Sequence, residues 1–420
     1  MAVQDTSHSP LLPLSGVRVL DLTRIISGPW ATQNLADLGA EVIKIENPNG
    51  GDDTRQMGPP FVRDARTGED ADAAYFLAAN RGKRSVAVDI AKPEGQRLIR
   101  ELVAQCDVLV ENFKVGGLAK YGLDYESLHK AFPQLVYCSI TGFGQTGPYK
   151  RRAGYDYLIQ GMGGLMSVTG EPDGKPGGGP QRAGVALADI LSGMYAALGI
   201  VAALRHRDAG HGGQYLDIGM LDVQVAVLAN QGMNYLTTGK VPQRMGNGHP
   251  NIVPYQYFPA NDGQFILAVG NDTQFRKAMQ VLGLEKEGAD PRFATIKLRV
   301  ANRDELIAMM TERTKTRSID EWVAAMEAVD VPCGPINTID RVFADPQIKA
   351  RGVQMSLPHP VAGEVPSVAS PMRFSETPIR YEQGPPVLGQ HTHDVLRRVL
   401  GADEARIAQW KADNVIKEMS

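Results

Sequence analysis

The sequence predicts an α/β fold: a parallel sheet with helices on both faces. Two observations carry this. Short apolar runs of strand character alternate with helical runs as far as Ile140, and such alternation buries a sheet between two helix layers. Gly or Pro also punctuates most of the joins, so the elements are short and connect as βαβ units.

In order, Val17–Leu22 reads as a strand, Gly28-Pro29 as a break, and Trp30–Leu38 as a helix closed by Gly39. Glu41–Glu46 is a second strand. The pattern repeats with Ser85–Ile90 as strand, Pro93–Cys106 as helix with Pro in its first turn, Val108–Val110 as strand, Tyr125–Phe132 as helix and Leu135–Ile140 as strand. Gly142-Phe143-Gly144-Gln145-Thr146-Gly147 then matches G-x-G-x-x-G after a strand. Pro148, Tyr149, Lys150, Arg151 and Arg152 make a poor helix start, however, and no strand-end acid follows about twenty residues on, so a dinucleotide site is excluded.

Two further helices, Gly154–Leu165 and Ala188–Arg207, flank a Gly/Pro loop from Lys175 to Pro180; Tyr215–Ile218 is a short strand and Asp222–Leu236 a helix. Beyond Thr238-Gly239 the texture changes. Arg244 to Pro250 is a loop, Phe265–Val269 a strand, Gln274–Val281 a helix opened by Asp272, and the charged helices Arg303–Thr314 and Ile319–Ala328 complete a smaller α+β domain. Pro332 to Pro386 is Pro-rich with short strands, and Asp394–Leu400 and Asp403–Trp410 are terminal helices.

At 420 residues the chain suits two or three compact units. A net charge of −3 argues against nucleic acid or an anionic membrane as partner. Cys106, Cys138 and Cys333 form neither a disulfide framework nor a metal motif, so no metal is expected, and a reducing, cytoplasmic setting fits. Met1 to Leu14 lacks the pattern of a secretory leader, and the longest apolar run, Met194 to Leu204, is shorter than the roughly 20 residues of a membrane span.

Between Asp173 and Asp208 the sole acid is Asp189, set among small residues (Gly184, Ala186, Ala188, Ser192, Gly193). An Asp before an apolar run commonly caps a helix. The small neighbours admit a second reading, in which a bulky ligand approaches the carboxylate while the helix start holds it ionised, ready to act as a nucleophile.

Several stretches occur together and in order: Asp21-Leu22-Thr23-Arg24 with Gly28-Pro29, Leu38 to Glu46, Asn80 to Ser85, Val110-Glu111-Asn112-Phe113, Gly142 to Pro148, Ala153-Gly154-Tyr155-Asp156, the Asp189 segment, and Val331 to Ile336. Jointly they resemble the class III CoA-transferases, the CaiB/BaiF family, from about Leu14 to the C-terminus. The resemblance implies a Rossmann-like large domain formed by both chain ends (1–225 and 336–420), a smaller domain between them (226–335), and an interlocked homodimer. It implies coenzyme A or acyl-CoA as co-substrate and small carboxylic acids as partners. Asp189 matches the family's catalytic aspartate, which passes through a mixed anhydride and an aspartyl-CoA thioester.

By the same motif match the CoA contacts are Ile26, Ser27, Asn47, Val88, Asp89, Ile90, Ala91, Asn112, Phe113, Lys114, Lys120, Ala153, Gly154, Tyr155 and Asp156. Lys120 stands where other members place a phosphate-binding Arg, and Asn47 where another Arg lies near the adenine. The loop Gly246, Asn247, Gly248 aligns with a glycine loop over the active site of the formyl-CoA member, and a plain turn is the other reading of it.

The related α-methylacyl-CoA racemases carry a His before the Asp of Gly-x-Asp. Tyr155 stands there in this chain, and a phenol is a poor base at neutral pH, so transferase is favoured over racemase. A non-catalytic acyl-CoA binding protein is the other class to weigh. The local pattern around Gly50 to Arg55, Tyr137 to Gly142, Val253 to Gln256 and Leu388 to Thr392 resembles the branch moving CoA from succinyl-CoA to glutarate and hydroxymethylglutarate. A dicarboxylate needs a cation for its second carboxylate, and Arg24, Arg81 and Arg244 are the candidates.

Overall fold

The computed structural model describes residues 11–419. The first ten residues, which carry most of the expectation about a leader, lie outside the described residues. The chain divides into two compact units, one drawn from residues up to Gly164, Gly184–Gly232 and Ile348 onward, the other from Leu165–Ala183 and Met233–Gln347.

The first unit is built on a seven-stranded sheet. Its elements in chain order are β1 (Arg18–Asp21), α1 (Ser27–Asp37), β2 (Glu41–Glu46), β3 (Lys83–Val88), α2 (Pro93–Val103), β4 (Val108–Glu111), β5 (Val136–Thr141), α3 (Asp156–Met162), α4 (Leu187–Asp208), β6 (Tyr215–Gly219), α5 (Met220–Ala226), α6 (Thr392–Leu400), α7 (Glu404–Ala412) and β7 (Ile416–Lys417). The strand order is β7-β3-β2-β1-β4-β5-β6, parallel except for β7. This is the doubly wound order, in which the direction of strand addition reverses between β1 and β4.

Alternate side chains along each strand enter opposite cores. Leu20, Ile43, Val86 and Leu109 pack with Leu98 and Leu102 of α2 and with Val395 and Trp410 of the terminal helices. Val19, Val42, Val108 and Val136 pack with Leu35 of α1 and Ile200 of α4. Burial on both faces is why the strands read as nearly continuous apolar runs.

Several expected boundaries move. Gly28 and Pro29 do not break the chain before α1; they lie in its first turn. Proline is tolerated there because the first N–H groups of a helix have no intrahelical partner. The helix expected over Gly154–Leu165 is two short ones, Asp156–Met162 and Leu165–Val168, and the one over Asp222–Leu236 is interrupted, with Ala229 at φ 45°. The structure adds a hairpin that the sequence reading lacked, Phe61–Arg63 with Asp70–Ala73, and pairs two of the short strands expected between Pro332 and Pro386, Gln354–His359 with Gly363–Val368.

The apolar run around Met194 was expected to be too short to span a membrane. Yet α4, at 22 residues, is by length and composition long and apolar enough to do so. Half of it is buried within the unit, where Ala196, Ile200 and Ala203 join the core, as in the core helix of a globular domain.

The second unit has a three-stranded antiparallel sheet, Tyr255–Pro259, Gln264–Ala268 and Cys333–Pro335. The helices Asp272–Val281, Arg303–Thr314 and Ile319–Glu327 cover it through Phe258, Phe265, Phe275, Met310 and Trp322. Asn271 caps the first of these helices and Ser318 with Glu321 forms a capping box on the third.

Candidate active site

At the carboxyl ends of the parallel strands, beside the reversal between β1 and β4, two cavities adjoin; this is where open doubly wound sheets take ligands. The larger, about 400 Å³, is bordered by Asp189, Ser27, Asn112, Phe113, Lys114, Lys120 and Ala153 to Tyr155. The smaller, about 240 Å³, is bordered by Asn47 and Val88 to Ala91. Arg24, Phe113 and Tyr121 border both. A more open cavity of about 560 Å³ lies elsewhere, between α2 and α7, but its Arg97 and Arg406 are already paired with Glu94 and Glu101.

Asp189 is the third residue of α4 and does not cap it. That duty falls to Asp156 on α3, whose Oδ1 accepts the backbone N–H groups of Ala188 at 2.8 Å and Asp189 at 3.3 Å, while its Oδ2 accepts from Gln160. The Asp189 carboxylate, 8% exposed, is thereby left to the cavity. The expectation that the helix start would hold it ionised is corrected, because those N–H groups are taken. Burial pushes its carboxyl up and the Asp156 charge adds to this, while a hydrogen bond from Ser27 pulls the other way, leaving it at about 7.

Gly193, one of the small residues near Asp189, has a packing role. A Cβ on Gly193 would stand 2.5 Å from the Ser27 carbonyl oxygen, so glycine is what lets α4 close on α1. That contact brings Ser27 to Asp189.

Five cations border the larger cavity: Arg24, Lys114, Lys120, Lys150 and Arg152. Arg152 packs against the rings of Phe143 (5.2 Å) and Tyr149 (4.7 Å), and Lys120 lies 4.6 Å over Tyr121. Lys150 and Arg152 were missed from sequence; a basic run in a Gly/Pro loop directly after a strand was the available signal. Tyr75 was missed too. Its phenol is pushed up by burial and by the charges of Asp189 and Asp156, which places it near both.

Other expectations are redrawn. Ile26 is buried at the start of α1, and Ile25, with φ 71°, borders the cavity instead. Asp156 is committed to α4. The Asn112 amide is spent on the Arg24 backbone, accepting its N–H at 3.0 Å and donating to its carbonyl at 2.7 Å. Arg24 pairs with Asp53 at 2.8 Å and stays half-exposed. Arg81 borders neither cavity; it is buried against Asp37 in a two-pronged ion pair, with Nε to Oδ1 at 2.9 Å.

Arg244, Gly246, Asn247 and Gly248 belong to the second unit. There Arg244 pairs with Asp173 and donates to the Glu171 carbonyl at 3.3 Å, and the Gly246 N–H reaches the Gly170 carbonyl at 3.1 Å. Gly246 is left-handed, φ 58°, and a Cβ there would meet the Glu171 carboxylate at 2.8 Å, so this turn requires glycine.

A lone carboxylate in a cation-bordered crevice is the equipment of an enzyme that handles a phosphorylated acyl carrier. A family model for CoA-transferase family III matches residues 14–392, and the chain belongs to that family. It is an enzyme of the transferase class with acyl-CoA as co-substrate.

Among its relatives, the chain is 54% identical over 384 residues to the succinate–glutarate CoA-transferase of Agrobacterium fabrum, covering 91% of this chain and 95% of the relative. It is 42% identical over 406 residues to the succinyl-CoA:glutarate CoA-transferase of Mus musculus, covering 97% and 91%. Among solved structures it is similar to a CaiB/BaiF family protein from Brucella suis, with TM-score 0.81 and 51% identity over 93% of this chain and 100% of that one.

Proposed function

We propose that this enzyme moves CoA from succinyl-CoA to glutarate, with Asp189 as a transient acyl carrier. One observation carries the reading: Asp189, relieved of capping by Asp156, faces a cavity bordered by five cations, in a chain 54% identical to a protein named for succinate and glutarate.

The steps balance without water or net proton transfer. An Asp189 oxygen attacks the thioester carbonyl, the C–S bond breaks, and a mixed anhydride and CoA thiolate form. The thiolate attacks the aspartyl carbonyl and expels succinate, leaving an aspartyl-CoA thioester. A glutarate carboxylate displaces the thiolate from it, and the thiolate then takes the glutaryl group, restoring Asp189. Covalent catalysis divides one hard exchange into four easier ones.

Lys114, Lys120, Lys150 and Arg152 hold the CoA phosphates, and the cavity of Asn47 and Val88 to Ala91 receives the adenine end. Arg24, half-exposed on the wall of both cavities, is the candidate for the distal carboxylate, Arg81 being committed to Asp37. The division implied by the resemblance, at 225 and 335, lies near the unit boundaries at 232 and 347, with residues 165–183 joining the smaller unit, and the enzyme works as an interlocked homodimer. The exposed Met194, Tyr195 and Leu198 of α4, with Tyr157, Leu158 and Met162 of α3, support a partnered face. Three free thiols fit a reducing, cytoplasmic compartment.

Incubation with succinyl-CoA and a panel of dicarboxylates, read by mass for new thioesters, tests the proposal. Glutaryl-CoA is the expected product; no exchange with any dicarboxylate would refute the substrate assignment. Light scattering tests the dimer.

A further inference from the structure

The turn from β1 to α1 is gripped at three consecutive residues. The Thr23 carbonyl accepts Lys44 Nζ at 2.9 Å, Arg24 is bound on both sides by Asn112, and the Ile25 N–H reaches Asp52 Oδ1 at 3.2 Å. Lys44 and Asp52 meet at 2.9 Å with both side chains fully enclosed, although they flank the smaller cavity. Asp52 also accepts the Thr54 N–H at 3.0 Å and hydroxyl at 2.8 Å.

Two physical facts make this arrangement informative. A left-handed Ile is an outlier, because its branched Cβ crowds the backbone there, and it persists only where its surroundings enforce it. A buried Lys–Asp pair is a weak source of stability, since apolar residues of like volume often hold a fold as well. What such a pair can specify is one conformation, and both of its members hold this same turn. Two residues past Ile25 stands Ser27, which borders the same cavity as Asp189 and favours its ionised form.

We propose that Lys44 and Asp52 are positioning residues for acyl transfer, which hold Ile25 in its left-handed conformation and so fix Ser27 against Asp189. The inference rests on the reading of Asp189 as acyl carrier. Asp189 is faced by Ser27 from α1, Asp156 from α3 and Tyr75 from the short helix Ala74–Leu77. Of these only Ser27 favours the ionised form, so releasing the turn both misaims the carboxylate and raises the pH at which it ionises. Lys114, Lys120, Lys150 and Arg152, the cations proposed for the CoA phosphates, lie on other segments, so kcat should suffer more than binding.

The test is steady-state kinetics of the full-length enzyme with succinyl-CoA and glutarate. Asp52→Ala is expected to lower kcat about 100-fold with a much smaller rise in KM for succinyl-CoA, since Asp52 also borders the proposed adenine cavity, and to move the acid limb of kcat to higher pH. Asp52→Asn, which keeps an oxygen for the Ile25 N–H but turns an amide donor toward Lys44, should lose less rate than Asp52→Ala. The double variant Lys44→Met/Asp52→Leu replaces the pair with apolar bulk, should melt near wild type, and should lose kcat like Asp52→Ala. Wild-type kcat and an unmoved acid limb in either folded variant overturn the proposal, as does failure of both to fold, which would make the pair purely structural. Asp189→Asn assayed alongside separates the two claims. Full activity there removes the acyl-carrier reading itself, whereas an inactive Asp189→Asn beside normal Asp52 variants removes only this inference.

Discussion

Two buried acids at the carboxyl ends of the sheet are pushed to the same acidity by the same main cause, and their surroundings differ. Asp189 and Glu111 both sit at about 7 because burial disfavours the charged form. Glu111, closing β4, is eased downward by Ser139 and by the Phe113 N–H at 2.8 Å. It borders a separate cavity of about 400 Å³ walled by Tyr125, Tyr137 and Tyr215, where Lys114 is the one cation on the wall among the described residues. Both acids have a hydroxyl partner, Ser139 for Glu111 and Ser27 for Asp189, but five cations border the cavity of Asp189 against one for Glu111. A raised pKa therefore marks burial, and it takes the neighbouring groups to mark a site for an anionic acyl carrier.

The sharpest way to break this contrast is to remove each carboxylate. Asp189→Asn should lower kcat by about 10⁴-fold, while Glu111→Gln leaves it near wild type, both measured as glutaryl-CoA formed. Next, Arg152→Ala should raise KM for succinyl-CoA about tenfold with kcat little changed, and the effect should shrink at high salt.

A smaller effect concerns pH. Attack needs the ionised carboxylate, so kcat/KM should fall as pH drops through about 7, the value set by burial of Asp189. Asp156→Asn keeps an oxygen for the α4 N–H groups but removes the like charge, and should move this limb to lower pH; an unmoved limb would show that Asp156 plays no electrostatic part.

The smallest effect belongs to Glu111. Its folded carboxyl, at about 7, lies above the ordinary value of 4.5. Between those values the folded state keeps a proton that the unfolded state has lost, so stability falls as pH rises through the window and levels off above it. Urea denaturation from pH 5 to 8 should show this fall, and Glu111→Gln should lessen it, leaving the like contribution of Asp189.

Sequence alone reveals the central sheet because both faces of its strands are buried, leaving runs such as Val42-Ile43 apolar throughout. It misplaces the start of α1, since Gly28-Pro29 has the same letters whether it ends a strand or opens a helix. Asp189 is legible as the lone acid among small residues. Its freedom from capping is not, because the cap arrives from Asp156, 33 residues earlier. Likewise Arg81 resembles a substrate clamp until folding brings Asp37 from 44 residues away. Lys150 and Arg152 acquire meaning only once the rings of Phe143 and Tyr149 are in place beside the crevice.

The most direct measurement is to trap the carrier. The enzyme is incubated with succinyl-CoA, treated with hydroxylamine, digested and mapped by mass spectrometry. A hydroxamate at Asp189, with Glu111 untouched, is the expected result; an unmodified Asp189, or capture at Glu111 in its place, contradicts the proposed mechanism.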